Sequence, residues 1–140
     1  MSKITPEEFE KLAYEHVPYV GTLGPKVEAL GGGEVTVRLP FNENFLRPGG
    51  TVSGPVLMGL ADLAMYALVL SLVGRVELAV TTNLNCNFLR KPKPAAVLAK
   101  GKILKLGKRL AVGEVALYSE GEEEMVAHVT ATYSIPPREE

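Results

Sequence analysis

One acidic residue, Asp62, interrupts a stretch of residues 51–74 that has no other charged side chain. Burying a carboxylate away from water is costly, so a fold that keeps one in an apolar setting usually gives it a task. The stretch opens with Ser53, Gly54 and Pro55, an order typical of a helix start at which Ser53 or Gly54 is the cap. Unbonded backbone amides at a helix start bind anions and oxyanions. The pattern therefore predicts an acid or nucleophile and an oxyanion donor on one helix.

Two non-catalytic interpretations of this stretch remain open. About twenty apolar residues are enough to cross a bilayer, but Asp62 near the middle, Pro55 and Gly59 all count against a membrane span. The second interpretation is a buried central helix in which backbone groups merely satisfy the carboxylate.

The N-terminal residues predict a short helix followed by a hairpin. Thr5 and Glu8 have the spacing of a capping box, Pro6 suits the first helical position, and the helix is expected to reach about His16. Alternating apolar residues around three glycines, residues 31–33, then indicate a β-hairpin.

After the apolar helix the hydrophobic period becomes two, which predicts four further strands. The first is expected to turn alternate residues from Leu78 to Phe88 to one face, and Thr81 with three asparagines to the other. The last is expected to start near Met125, to turn the side chains of Met125 and Tyr133 inward, and to turn Val126 outward. Short turns favour antiparallel pairing, so the chain is predicted to form an α+β fold with a curled antiparallel sheet around a long central apolar helix.

Composition bounds the class of protein. The 140 residues are expected to form one domain, 1–140, with an N-terminal helical segment over residues 1–18 and a polar tail over 136–140. The net charge of −1 gives no general attraction to nucleic acid or to an anionic membrane. Cys86 is the single cysteine, so neither an internal disulfide nor a cysteine-based metal site is expected. No metal or cofactor is predicted, and the first residues lack a secretory pattern, which predicts a cytoplasmic setting.

The apolar helix also predicts an assembly of copies. A helix that is apolar all round must be covered on all sides, and one sheet cannot do that, so a second copy is expected to cover the rest. Gly54 and Asp62 are eight residues apart, and that separation is about 12 Å along a helix. The two groups cannot both reach one carbonyl within a chain, whereas two antiparallel helices of a symmetric dimer would bring them together.

Four segments resemble those of a known protein family and occur in the same order as in that family: 47–54 (RPGGTVSG), 60–62 (LAD), 81–90 (TTNLNCNFLR) and 107–109 (GKR). With them, residues 25–135 resemble a hotdog-fold acyl-CoA thioesterase of the PaaI-like branch. The resemblance implies a homodimer, or a homotetramer as a dimer of dimers, in which the Gly54 amide holds the thioester oxygen. It further implies that Asp62 of the facing subunit is the nucleophile or general base, with acyl-CoA as the substrate and no cofactor.

Two positions depart from the pattern of that branch. Ser53 stands where a histidine is common, and Arg47 stands where an asparagine or glutamine is common. Ser53 could donate a hydrogen bond to the substrate or simply cap the helix, and Arg47 could hold an anionic group or lie on the loop surface. In related hotdog enzymes a hydroxyl residue near the start of the long strand assists the acid, a position that Thr81 or Thr82 fills here.

The two ends of an acyl-CoA set further expectations. Five basic residues in two clusters are candidate phosphate contacts: Arg90, Lys91, Lys93, Lys108 and Arg109. The candidate acyl pocket lies between the helix and its facing sheet, and its candidate residues are Leu57, Met58, Ala61, Met65 and Tyr66. A small or medium acyl group is expected, and the residues favour neither an aliphatic nor an aromatic one.

Thioester hydrolysis is the leading interpretation, and two others stay open. A non-catalytic acyl-CoA binding protein is favoured by the missing histidine and amide. An enoyl-thioester hydratase would need a histidine beside the acid. His16 at a helix end and His128 on an outer strand face are better explained as structural or solvated residues.

Overall fold

The computed structural model describes residues 2–137, and this part of the chain contains three α-helices and eight β-strands. The helices are α1 (Pro6–His16), α2 (Pro18–Leu23) and α3 (Gly54–Val73). The strands are β1 (Lys26–Gly31), β2 (Glu34–Leu39), β3 (Leu46–Arg47), β4 (Thr51–Val52), β5 (Val80–Phe88), β6 (Val97–Leu106), β7 (Leu110–Ser119) and β8 (Ala127–Ser134). One turn of 3-10 helix, Glu43–Phe45, precedes β3.

Helix α1 begins where the capping box predicts. Glu8 N donates to Thr5 Oγ1 (3.0 Å), and Thr5 N donates to Glu8 Oε1 (2.9 Å). The two bonds satisfy amides that a helix start would otherwise leave open. Phe9 and Leu12 are buried on the apolar face of α1, which attaches the helix to the core.

A second short helix, α2, is absent from the prediction, which ends the helical segment at residue 18. Val17 is extended and separates the two helices, and Pro18 supplies the fixed φ of a first helical residue. Gly24 ends α2 in the left-handed conformation, with φ 76°. Six residues are too few to show a helical period in a sequence.

Six strands form one antiparallel sheet that curls around α3. Their order is β1-β2-β6-β7-β8-β5, and β3 and β4 form a separate two-stranded ribbon. Helix α3 contacts every strand of the larger sheet. By length and composition α3 could cross a membrane, but 72% of its most apolar window is buried inside the fold. The predicted α+β architecture and its hotdog arrangement are thereby confirmed.

Strand β5 lies at one edge of the sheet and departs from the predicted alternation. The pairing of β5 with β8 shifts register between Thr81 and Asn83, which marks a β-bulge. The bulge reverses the faces of the residues before it, so Thr81 faces α3 and not the solvent. Leu78 and Val80, predicted to face inward, are largely exposed.

The start of β8 also differs from the prediction. The strand begins at Ala127, and Val126, predicted on the outer face, is only 2% exposed. Its N–H donates to Leu117 O (2.8 Å) before the regular alternation starts. Of the predicted polar tail, residues 136 and 137 belong to the described part of the chain, and the remainder lies outside it.

Candidate active site

Asp62 lies half-buried in the third turn of α3, and two hydroxyl groups bind it. Thr81 Oγ1 donates to Asp62 Oδ1 (2.5 Å), and the Tyr133 hydroxyl donates to the same oxygen (2.9 Å). The two donors lie opposite each other on the paired strands β5 and β8. The carboxylate is thus held by side chains of the sheet, and not by the backbone groups that a purely structural interpretation assumes.

The second carboxylate oxygen of Asp62, Oδ2, is open to the cleft beside α3. No hydrogen bond from residues 2–137 reaches Oδ2. No buried side-chain nitrogen or oxygen in that part of the chain lacks a partner, so Oδ2 must be accessible. A carboxylate with one oxygen held and the other accessible can attack a carbonyl carbon or take a proton from water.

Tyr133 is a site residue that sequence reasoning assigned only to the core face of β8. The ring is buried and stacks on Tyr66, with centroids 6.2 Å apart. Burial, and then the charge of Asp62, raise the pKa of Tyr133, so its phenol stays protonated and donates to Asp62 at neutral pH. The one available signal was a hydroxyl at the inward-facing end of an otherwise apolar strand face.

The start of α3 presents the Gly54 amide. Ser53 is the cap residue, in extended conformation (φ −71°, ψ 152°), but its hydroxyl makes no capping hydrogen bond. Its own N–H donates to Phe45 O (2.8 Å), which attaches the helix start to the preceding turn. The Gly54 N–H has no acceptor within the helix and is not hydrogen-bonded to any of residues 2–137.

Gly54 and Asp62 line two different clefts. The Gly54 cleft has a volume of about 730 Å³ and is lined by Arg47, Thr51, Val52, Ser53, Gly54, Pro55, Leu57, Phe88, Leu89, Arg90, Lys91 and Pro92. The Asp62 cleft has a volume of about 410 Å³ and is lined by Val17, Tyr19, Val20, Leu23, Gly59, Asp62, Leu63, Tyr66, Glu77, Ala79, Val80, Thr81 and Tyr133. One helix therefore presents an amide to one cleft and a carboxylate to another, about 12 Å further along its axis.

The two clefts lie toward opposite ends of the edge strand β5. Thr81, near the start of the strand, binds Asp62, and Phe88, its last residue, contacts the helix start. A β-carbon at position 54 would lie 3.2 Å from Phe88 Cζ, so glycine allows the ring to approach the backbone. Thr81 and Phe88 are seven positions apart along the strand, which is roughly 23 Å of extended chain.

The five residues predicted to line one acyl pocket do not share a cavity in the single chain. Leu57 lines the Gly54 cleft, and Tyr66 lines the Asp62 cleft. Ala61 and Met65 are fully buried in the core, and Met58 is 38% exposed outside both clefts. A helix that is apolar on every side gives no sequence signal of which residues face a cavity.

The five predicted phosphate contacts form two groups at opposite ends of the sheet. The first group follows β5, and the second forms the turn between β6 and β7: Arg90, Lys91 and Lys93, and then Lys108 and Arg109. The register places the β6–β7 turn near the start of β5, because Leu110 lies opposite Ser134 and Ser134 lies opposite Val80. Within one chain the two groups cannot meet at one mouth.

The members of the first group differ in whether they form ion pairs. Arg90 pairs with Glu124, and Lys93 Nζ lies 2.6 Å from Glu122 Oε1. Lys91 lines the Gly54 cleft and forms no ion pair with any of residues 2–137. Lys91 is therefore the member of this group whose charge is most available to an anion.

The remaining candidate residues are the two threonines at the start of β5 and Arg47. Thr81 binds Asp62, whereas Thr82 Oγ1 donates to Thr132 O (3.2 Å) away from the acid. Arg47 is exposed on the rim of the Gly54 cleft.

Neither histidine lies at a cleft that holds Gly54 or Asp62. His16 ends α1, and His128 Nε2 lies 2.9 Å from Glu114 Oε1 on the outer face of the sheet. The arrangement of a histidine beside the acid, which a hydratase would need, does not occur in residues 2–137.

Comparisons with known proteins give one consistent result. The family model described as "Thioesterase superfamily" matches residues 49–126. The structure of a "putative thioesterase" from Silicibacter sp. TM1040 shares 46% sequence identity and has a TM-score of 0.88, covering 98% of this chain and 95% of its own. A variant of the phenylacetic acid degradation protein PaaI from Thermus thermophilus is 28% identical, with a TM-score of 0.74 over 85% of this chain and 99% of its own. A "putative esterase" from Thermoplasma acidophilum is 27% identical over 110 residues, which cover 79% of this chain and 82% of that relative.

Proposed function

Because this chain belongs to the thioesterase superfamily and to its PaaI-like branch, and is thus a hydrolase of thioesters, we propose that it cleaves small or medium acyl-CoA esters at a site shared by two subunits. In this proposal Asp62 of one subunit is the nucleophile or general base. The Gly54 amide of the other subunit is the oxyanion donor.

The observation that carries the proposal is the separation of the two groups. An accessible carboxylate oxygen and an unbonded helix-start amide are the groups that acyl transfer requires. They occupy different clefts of one chain. A second chain is therefore needed for both to act on one carbonyl.

The edge strand β5 offers a way to join the clefts. Its outer side has no strand partner within residues 2–137, so its backbone groups are available for pairing with another chain. Antiparallel pairing of two β5 strands about a two-fold axis would set the Phe88 end of one against the Thr81 end of the other. The Gly54 cleft of each subunit would then adjoin the Asp62 cleft of its partner, giving two equivalent sites.

In such a site the thioester oxygen accepts a hydrogen bond from the Gly54 N–H, and the dipole of α3 adds partial positive charge there. Asp62 Oδ2 takes a proton from the water that attacks the carbonyl carbon, or attacks the carbon itself and expels the CoA thiolate, which leaves an anhydride that water then cleaves to the carboxylic acid and free Asp62. In the first route the proton passes to the sulfur as the C–S bond breaks, giving a free thiol and a carboxylic acid. Thr81 and Tyr133 keep Oδ2 directed at the carbon by binding Oδ1.

The Gly54 cleft is the proposed place of the CoA moiety. Its rim carries Arg47, Arg90 and Lys91, which suit phosphate groups. The antiparallel pairing of β5 would also bring Lys108 and Arg109 of the partner subunit toward this rim. The two basic groups that lie apart in one chain would then serve one ligand.

The test is release of free thiol from short, medium, long and aromatic acyl-CoA esters by the wild type and by Asp62→Asn. We expect the substitution to lower kcat by about 10²- to 10⁴-fold, the usual size of a lost general acid or base. The asparagine retains an oxygen that can accept from Thr81 and Tyr133, so the thermal midpoint should change little. Glu28→Gln, at an exposed residue of β1 outside both clefts, is the matched control and should retain full activity.

The outcomes separate three possibilities. Loss of hydrolysis in Asp62→Asn alone supports the proposed mechanism and identifies the acyl class. Equal hydrolysis by both proteins would remove Asp62 from the mechanism. An acyl-CoA that the wild type binds but leaves uncleaved would indicate a binding protein.

A further inference from the structure

Helix α2 forms one wall of the Asp62 cleft. Val17, Tyr19, Val20 and Leu23 all line this cleft. Val20 and Leu23 are also buried in the core, so the wall is fixed to the rest of the fold. The wall is therefore a constant part of the space beside the acid.

Tyr19 is the residue of this wall that lies against Gly59 of α3. A β-carbon at position 59 would lie 2.9 Å from both Cε2 and Oη of Tyr19, so the ring rests directly on the glycine backbone. Gly59 precedes Asp62 by three residues, which places the two on the same face of α3. The ring is 50% exposed, and its hydroxyl binds none of residues 2–137, so it is held by shape and not by a polar contact.

The chemistry of the two clefts differs. Both clefts are mainly apolar, but the charged residues of the Asp62 cleft are carboxylates, Asp62 and Glu77, whereas the Gly54 cleft carries three cations on its rim. At about 410 Å³ the Asp62 cleft is near the lower end of the range for ligand pockets, about 300–1,000 Å³. An apolar group of limited size suits the Asp62 cleft, and the anionic end of a substrate suits the other.

We propose that the acyl group of the substrate lies in the Asp62 cleft, and that the Tyr19 ring sets the largest acyl group that this cleft accepts. This inference rests on the function proposed above. The thioester carbon lies at Asp62 Oδ2, and the acyl tail extends from it between α3 and α2. The tail meets the Tyr19 ring before it can extend further, so longer groups are excluded by shape.

The experiment compares kcat/KM for decanoyl-CoA and butyryl-CoA in the wild type, Tyr19→Ala, Tyr19→Phe and Met58→Ala. Burial of each added methylene is worth about fourfold in kcat/KM. Tyr19→Ala should therefore raise the decanoyl-to-butyryl ratio by about tenfold or more, while the butyryl value stays within about threefold. Tyr19→Phe keeps the ring and should keep the wild-type ratio. Met58→Ala removes a neighbouring apolar side chain of α3 outside the cleft and should also keep it.

Several results would overturn the inference. An unchanged ratio in Tyr19→Ala would show that the ring does not limit the acyl group. A shift as large in Tyr19→Phe would assign the effect to the hydroxyl, and a shift in Met58→Ala would place the acyl group outside the Asp62 cleft. Asp62→Asn is assayed in parallel: if the wild type hydrolyses butyryl-CoA and Asp62→Asn does not, the proposed function stands even where the Tyr19 inference fails. If the wild type hydrolyses no ester, both fail together.

Discussion

Two adjacent threonines of β5 differ in what their hydroxyl groups bind, and only Thr81 binds Asp62. We expect Thr81→Val to lower kcat by about 10- to 100-fold, because a hydrogen bond to a charged group is worth about 1.5–3 kcal/mol. Thr82→Val is the matched control, since Thr82 donates to a backbone carbonyl away from Asp62, and it should stay within about twofold. Steady-state kinetics on one ester, with a thermal midpoint for each variant, checks both. Equal losses in the two variants would count against a special role of Thr81.

Prediction of individual site residues depends on how local each signal is. A single acid in an apolar stretch and a helix-start motif are readable in a sequence, so Asp62 and Gly54 can be proposed as site residues from the sequence alone. The choice between Thr81 and Thr82 depends on a bulge in the pairing with β8, and strict alternation cannot reveal a bulge. Tyr133 becomes a site residue only because distant parts of the chain pair, so its alternation pattern gave a face but no partner.

Close contact between α3 and the sheet depends on Gly113 of β7, which has no side chain. A β-carbon at position 113 would lie 2.7 Å from Met65 Sδ and 3.1 Å from Lys102 O, and Met65 is fully buried. We expect Gly113→Ala to destabilise the fold by about 1–3 kcal/mol, the usual cost of overpacking a core. The measurement is the free energy of unfolding in urea, together with a double-mutant cycle against Met65→Ala. A double variant whose loss equals the sum of the two single losses would exclude the contact as the cause.

Gly21→Ala is the counterpart of Gly113→Ala in that experiment. Gly21 is exposed in α2, and a β-carbon there meets nothing within 4 Å. Alanine should therefore stabilise the protein by about 0.5–1 kcal/mol through helix propensity. Destabilisation by Gly21→Ala would show that a β-carbon at position 21 does meet neighbouring atoms, and that α2 packs differently from the structure.

Prediction of the helices and strands from the sequence depended on how local each signal is. The capping box of α1, the glycine hairpin and the strands β6 and β7 are encoded by neighbouring residues, and each is confirmed. Helix α2 has only a proline and a glycine as signals, so it was missed. All five candidate residues for the acyl pocket were taken from α3, because an apolar sequence cannot show that α2 and β5 line a cleft beside it.

The proposed assembly is a dimer. The eight-residue spacing of Gly54 and Asp62 predicts a dimer more strongly than the composition of the chain does. Spacing along a helix is fixed by its geometry, about 1.5 Å per residue, so the conclusion that the two groups act in different chains needs no tertiary information. The surface through which two chains meet does need it. The edge position of β5 depends on the order of all six strands, which follows from long-range pairing.

Subunit mixing tests the shared site directly. Gly54→Pro removes the proposed oxyanion donor, and the extended conformation of Ser53 (φ −71°, ψ 152°) is compatible with a following proline. A dimer of Gly54→Pro chains and a dimer of Asp62→Asn chains should each be inactive. After subunit exchange at equal concentrations, half of the dimers are mixed and each mixed dimer has one intact site of two, so about a quarter of wild-type activity should return. Mixing either variant with the double variant Gly54→Pro/Asp62→Asn creates no intact site and should restore nothing. If the two groups acted within one chain, the first mixture would remain as inactive as this control, because no exchange could place both groups on the same helix.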